Sequence, residues 1–192
     1  MFVNSLTICV IASLLALVPS QGEPRKWTTP ETFVAKAEVR SGETAVASAN
    51  VTIQVDRYTK DADRTAMENA LKHGGYPGFL TALRKAPAVG HIEAGDRKFT
   101  IRWAREVADG TGRTISVVTD APIFFVGGGA ADAKPRAGYE LAVVQLKMDA
   151  SGIGEGSMAA AARVKPGGPT NVQVDSYADQ PLKLLSVRRL IK

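Results

Sequence analysis

VTIQVDRYTKDADRTAMENALKHGGYPGFLTALRKAP, residues 51–87, decides how this chain is read. A strand of period 2 ends at Asp56, and the helical patterns follow it. Thr59 stands where its hydroxyl would cap a first helix over 59–73, and Asp61 and Asp63 suit the positive end of the helix dipole. Ala62, Ala66, Met67, Ala70 and Leu71 recur at helical spacing and form one apolar stripe. Lys72 and His73 suit the negative end, and Gly74-Gly75 supplies a left-handed cap. A shorter helix over 77–85 presents Phe79, Leu80 and Leu83, and Pro87 stops it because the residue before a proline avoids helical geometry. The two segments predict a helical hairpin over 59–86, placed to plug one end of a barrel or to cover one side of a sheet.

Strands surround this insert on both sides. Residues 33–40 and 45–56 alternate, with Ala47, Ala49, Val51, Ile53 and Val55 on one face of the second run. After Pro87, runs at 88–93 and 98–106 flank a glycine turn at Gly95, with Phe99, Ile101 and Trp103 expected on one face. Further runs cover 113–120, 123–126, 139–149, 153–164, 170–175 and 181–189. A phase shift predicts a bulge or a change of environment near Gln145. Gly152, Gly154 and Gly156 share a face that admits close approach of another backbone or a bulky ring, with Trp103 or the hairpin as candidates. The fold class expected is mainly β (α+β), a single antiparallel β-barrel or sandwich of about ten strands, the hairpin inserted after the second strand. The barrel is preferred because closure removes exposed edges.

Residues 6–18 form an apolar run shorter than the ~20 residues of a membrane span. With Pro19, Ser20 and Gly22 behind it, the run predicts a signal peptide over 1–22, although residues 1–5 hold no Lys or Arg. A polar leader over 23–32 and a single β-rich domain over 33–192 follow. The expected location is secreted or periplasmic, with no membrane span after signal cleavage. Cys9 is the one cysteine, so the mature chain has no disulfide, cysteine nucleophile or thiolate metal site. The net charge of +5 is dispersed and lacks a basic stripe with interleaved aromatics, which argues against a nucleic-acid partner.

Catalytic patterns are missing. The chain has two histidines, His73 and His91, and no second ligand stands at zinc spacing, so no metal is expected. No G-x-S-x-G elbow occurs, and Gly127-Gly128-Gly129 precedes no helix that would hold a phosphate. Asp56, Asp61 and Asp63 are read as helix-start charge rather than a calcium loop. No cofactor is implied. The candidate ligand-binding residues are Phe79 and Leu83 on the hairpin, Trp103 on a facing strand, and Lys134 and Arg136 on the glycine-rich loop 127–138.

Asp56-Arg57-Tyr58-Thr59, Gly74-Gly75, Ala82-Leu83, Val89-Gly90, Thr119-Asp120 and the run from Tyr177 to Leu182 carry a resemblance. In them, over most of 51–189, the chain resembles an uncharacterised group of secreted bacterial proteins with no assigned function. The resemblance implies export from a bacterium and transfers no activity, ligand or catalytic residue. The strand number and insert are also similar to small fatty-acid-binding barrels, a likeness of fold that carries no function. The leading expectation is an exported non-enzymatic binding protein for a small apolar ligand held between hairpin and strands. The alternatives are an envelope structural or partner-binding module using loop 127–138, and a hydrolase with dispersed catalytic residues.

Overall fold

The alternation over 33–55 folds into a long antiparallel hairpin, β1 (Glu31–Ser41) against β2 (Thr44–Val55). Phe33, Ala35 and Ala37 pair with Ile53, Val51 and Ala49, so one face of the ribbon is apolar. The computed structural model describes residues 27–41, 44–110, 112–123, 137–167, 172–177 and 181–191. The expected signal peptide, leader residues 23–26, residues 124–126 of the expected run at 123–126 and loop residues 127–136 lie outside them. The chain continues as α1 (Asp61–Lys85), β3 (Gly90–Ala94), β4 (Arg97–Asp109), β5 (Gly112–Thr119) and β6 (Leu141–Met148). It ends with β7 (Ile153–Pro166), β8 (Val172–Ser176) and β9 (Leu182–Leu190).

Every strand pairing is antiparallel. The sheet order is β6-β5-β4-β3-β2-β1-β9-β7-β8, and β6 also pairs with β7. That last pairing closes an eight-stranded up-and-down barrel and leaves β8 as a ninth strand on β7. Eight strands leave an interior that side chains can fill or that holds one small ligand. Here Phe33, Ile53, Ile92, Ile101, Ile115 and Leu146 fill its middle, each fully buried. No described helix is long and apolar enough to cross a membrane.

The helical hairpin is corrected to a single kinked helix. Within α1 only Gly75 leaves helical geometry, at φ 59° and ψ −158°. A helical hairpin needs a connection of roughly two to five residues, and one residue cannot reverse the chain. The bend is still sharp: a Cβ on Gly78 would lie 2.8 Å from the Ala70 carbonyl oxygen. Thr59 does not cap the helix. Its N–H donates to the Ala104 carbonyl and its Oγ1 accepts from the Ala104 N–H, so it is spent pinning the chain to β4. Lys60 takes the cap position without a side-chain bond. Ala86 turns extended before Pro87, as expected of a residue preceding proline.

α1 lies on the outside of the barrel, against β7 and β4. Met67, Leu71, Phe79 and Leu83 pack there on Val118, Leu141, Ala159 and Ala162, a second core separate from the interior. Register shifts feed it. Between Ile101 and Trp103 the β4 register slips, so Ile101 and Ala104 face inward while Trp103 sits opposite Val118 under the helix. This overturns the expected single face of Phe99, Ile101 and Trp103, because one extra residue inverts the alternation beyond it. β6 itself alternates regularly through Gln145, with Leu141 and Val143 in the helix layer and Ala142, Val144 and Leu146 in the interior; the register shift falls opposite Leu141 and Val143, where three steps of β7 from Ala159 to Ala162 face two of β6. The glycine face of β7 is approached by backbone and by a ring, as expected of such a face, but the neighbours are β6 and Trp27 rather than Trp103 or the hairpin. A Cβ on Gly154 would overlap the Lys147 carbonyl oxygen, one on Gly156 would meet Leu146, and Gly152 lies by Trp27.

Gly75 occupies backbone space that other residues enter only at a cost of about 1–3 kcal/mol. Gly75→Ala is expected to lower the unfolding free energy by about that amount in urea titration. A Cβ there would meet only Pro77 Cδ at 3.9 Å, an ordinary contact, so backbone strain is the cause. An unchanged midpoint would show that the kink relaxes.

Candidate functional site

The two ends of the barrel differ in chemistry. At one end the inward rows of three strands finish on charged residues. Glu31 begins the row of Phe33, Ala35 and Ala37, and Arg113 begins that of Ile115 and Val117. β9 reaches the same place through a bulge at Ser186, whose φ of 52° is unusual for a residue with a side chain. The bulge lets both Leu184 and Val187 face inward and brings Arg189 in behind them.

Arg113 forks onto Glu31, with Nη2 donating to Oε1 at 2.7 Å and Nη1 to Oε2 at 3.0 Å. Arg189 Nε donates to Oε1 at 2.7 Å, and the Tyr58 hydroxyl donates to Oε2 at 2.7 Å. Arg113 also reaches Glu106 at 3.1 Å. Trp27 covers the cluster, its ring 4.1 Å from the Arg113 guanidinium carbon and 5.0 Å from that of Arg189. The Glu31 side chain is 0% exposed and that of Arg113 1%. Burial pushes the Glu31 carboxyl up, but the hydrogen bonds from Arg113, Tyr58 and Arg189 outweigh it and hold it below the ordinary carboxylate range. Burial and the Glu31 carboxylate both push the Tyr58 phenol up, so it stays a neutral donor. A cavity of about 210 Å³ adjoins this end beside Thr28, Thr29 and Arg189, below the roughly 300 Å³ of ordinary ligand pockets. This end is a seal.

At the other end the described strands are of unequal reach. β3 covers β2 only over Val51 to Val55, so the earlier part of the β1–β2 ribbon projects past the rim. Its inward row, Val39, Ala47 and Ala49, is half-buried, and Ser48 and Asn50 on the outer row are exposed. Phe99 and Leu182 complete the half-buried apolar lining, and Arg97 stands at the hairpin two residues before Phe99. β7 projects in the same way: β9 covers it as far as Met158, and β8 pairs with it from Ala162 to Pro166. Ala162 and Val164 face the helix layer. Arg163 and Lys165 therefore alternate onto the face continuous with the interior.

A polar and aromatic cluster forms on that face. Arg163 Nε donates to Asp175 Oδ2 at 2.8 Å, and Lys165 Nζ lies 2.8 Å from the same oxygen. The Arg163 guanidinium sits 4.9 Å over the Tyr139 ring, which meets Tyr177 edge-on at 5.4 Å. The Tyr139 hydroxyl points to Asp175 at 3.5 Å. The hydrogen bonds from Lys165 and then Arg163 hold the Asp175 carboxyl below its ordinary value. The Asp175 carboxylate in turn raises Arg163. Asp175 is thus an ionised acceptor facing two cations.

The expected site residues divide. Phe79, Leu83 and Trp103 do come together, but in the helix layer, where Leu83 is 0% exposed and the space is taken by their own packing. Lys134 and Arg136 lie outside the described residues. His91 pairs with Glu93 at 3.3 Å on the surface. No group of three metal-ligating side chains gathers among the described residues. Sequence reasoning missed Tyr139, Arg163, Lys165, Asp175 and Tyr177. Its one available signal was the turn at Pro166-Gly167, which folds Arg163-x-Lys165 back against Asp175. Comparison with family models, with curated proteins and with solved structures returned no match.

Glu31→Gln is expected to cost about 3–5 kcal/mol at pH 7, because it strips the carboxylate from two guanidinium groups at a buried site. A carboxyl held below its unfolded value stabilises fully above about pH 4.3, and the contribution fades as acid protonates the folded state. The stability gap between wild type and E31Q should therefore narrow as pH falls below about 4. A gap that stays constant there would show that Glu31 acts by shape rather than charge.

Proposed function

We propose that this chain is an exported, non-enzymatic binding protein, secreted or periplasmic, whose small and largely apolar ligand sits at the open end of the barrel. One observation carries the reading: inward-facing apolar residues on the projecting ribbon, Val39, Ala47 and Ala49, remain half-buried while the opposite end is sealed by ions and Trp27. Water in contact with such a row is released when an apolar ligand covers it. The apolar run over 6–18, read as part of a signal peptide over 1–22, and the resemblance to secreted bacterial proteins support export. The helix layer, where Phe79 and Leu83 pack, serves as the wall that holds β4 and β7 in place.

N-phenyl-1-naphthylamine, a neutral apolar fluorophore, tests the position. Ala49→Trp is expected to weaken its binding about tenfold or more by filling the space, and to leave the unfolding midpoint nearly unchanged. Leu83→Ala should do the reverse, losing about 2–5 kcal/mol of stability while the folded protein still binds. Binding that survives A49W and fails in folded L83A would move the site to the helix layer. No binding by the wild type would defeat the reading.

A further inference from the structure

We infer that the ligand carries an anionic group, and that Arg163 and Lys165 hold it at the rim beside the Tyr139 and Tyr177 rings. This rests on the binding reading above and names the chemistry of that site. Two cations share one carboxylate oxygen, Asp175 Oδ2, at 2.8 Å each. Among the described residues one carboxylate balances one of them, which leaves these three side chains with a net positive charge. The side chains are neither buried nor remote: Arg163 is 36% exposed and Lys165 47%. An incoming anion can therefore reach both without the cost of opening a core.

The cluster is also fixed in place. The β7–β8 register sets Arg163 opposite Asp175 and Lys165 opposite Gln173. The Tyr139 ring lies under the guanidinium and leaves its plane edge to form paired hydrogen bonds, the geometry in which arginine binds carboxylate, sulfonate or phosphate oxygens. The Tyr139–Tyr177 pair offers an aromatic surface next to that charge. An apolar body lying along Val39, Ala47 and Ala49 with an acidic group at the β7–β8 side meets both chemistries at the one open rim. A wholly neutral ligand would leave the surplus cation unanswered.

Two fluorophores with a shared body separate the possibilities. 8-Anilinonaphthalene-1-sulfonate carries the sulfonate that N-phenyl-1-naphthylamine lacks. The full-length mature protein is expected to bind the sulfonate about tenfold more tightly than the neutral probe, as a charge-assisted hydrogen bond implies. Lys165→Glu and Arg163→Gln should remove that preference and leave the affinity for the neutral probe unchanged, and Lys165→Arg should keep it. The retained neutral binding also shows that the variants fold. Equal affinity for both probes, or a sulfonate preference that K165E does not alter, would overturn the anion inference and leave the binding reading standing. Failure of both probes to bind would overturn both.

Discussion

A buried carboxylate at the head of the first strand fixes how this barrel closes. Glu31 takes hydrogen bonds from β5 through Arg113, from β9 through Arg189, and from the segment after β2 through Tyr58. It thereby ties the first strand to the last and to a strand across the interior. Desolvating these charges offsets much of their attraction, so the cluster adds little net stability compared with an apolar plug. Its value lies in being demanding. Each guanidinium has a required direction, and a sheet closed with β9 one residue out of register would leave a charge buried without its partner. Apolar side chains tolerate such slips far better.

The inside-outside pattern follows from the same need for phase control. A strand of strict alternation presents one face to the interior along its whole length. This chain has two apolar layers to serve, and its register shifts move single strands from one to the other. The shift after Ile101 sends Trp103 under the helix and returns Ala104 to the interior. Opposite Leu141 and Val143 the extra residue lies on β7, so that Ala159 and Ala162, three positions apart, both join the helix layer. The bulge at Ser186 is what gives Arg189, rather than Arg188, to Glu31. Bulges bend and twist strands, so the same residues that set phase also help the sheet curl shut.

These shifts mark where the sequence stopped being legible. Long alternation at 45–56 announces β2 because the period is unbroken, and Asp61, Asp63 and Pro87 announce the limits of α1. Nothing local around Arg102 distinguishes a bulged strand from a regular one, so Trp103 reads as an interior residue. Gly74-Gly75 reads as a turn because either glycine accepts positive φ, and only the packing of both helix segments on β7 and β4 decides that Gly75 alone bends. Thr59 illustrates competition: its hydroxyl suits a helix cap, and β4 offers it a backbone pair instead. Glu31 sits in what composition marks as a polar leader, and its burial depends on Arg113, 82 positions away. The rim cluster was invisible for the same reason. Arg163, Lys165 and Asp175 are ordinary surface residues until the β7–β8 register brings them to one oxygen.

The alanines of the ribbon are the residues on which the binding proposal leans most. Below the rim the inward positions of β2 are Val51, Ile53 and Val55, all buried, as strand preference and burial both favour. Above it the same row becomes Ala49 and Ala47, paired with Ala37 and Val39. Alanine is a poor strand former and removes little apolar area from water. Valine or isoleucine at those positions would strengthen the ribbon and cover more of the interior. Small side chains on a ribbon that outreaches its neighbour give up that stabilisation and leave room. The opposite end shows that the fold can be sealed where sealing is required, with Trp27 laid across two arginines. At the other end the described ribbon carries small side chains beside a cluster of two cations and one carboxylate, and the binding proposal rests on that contrast.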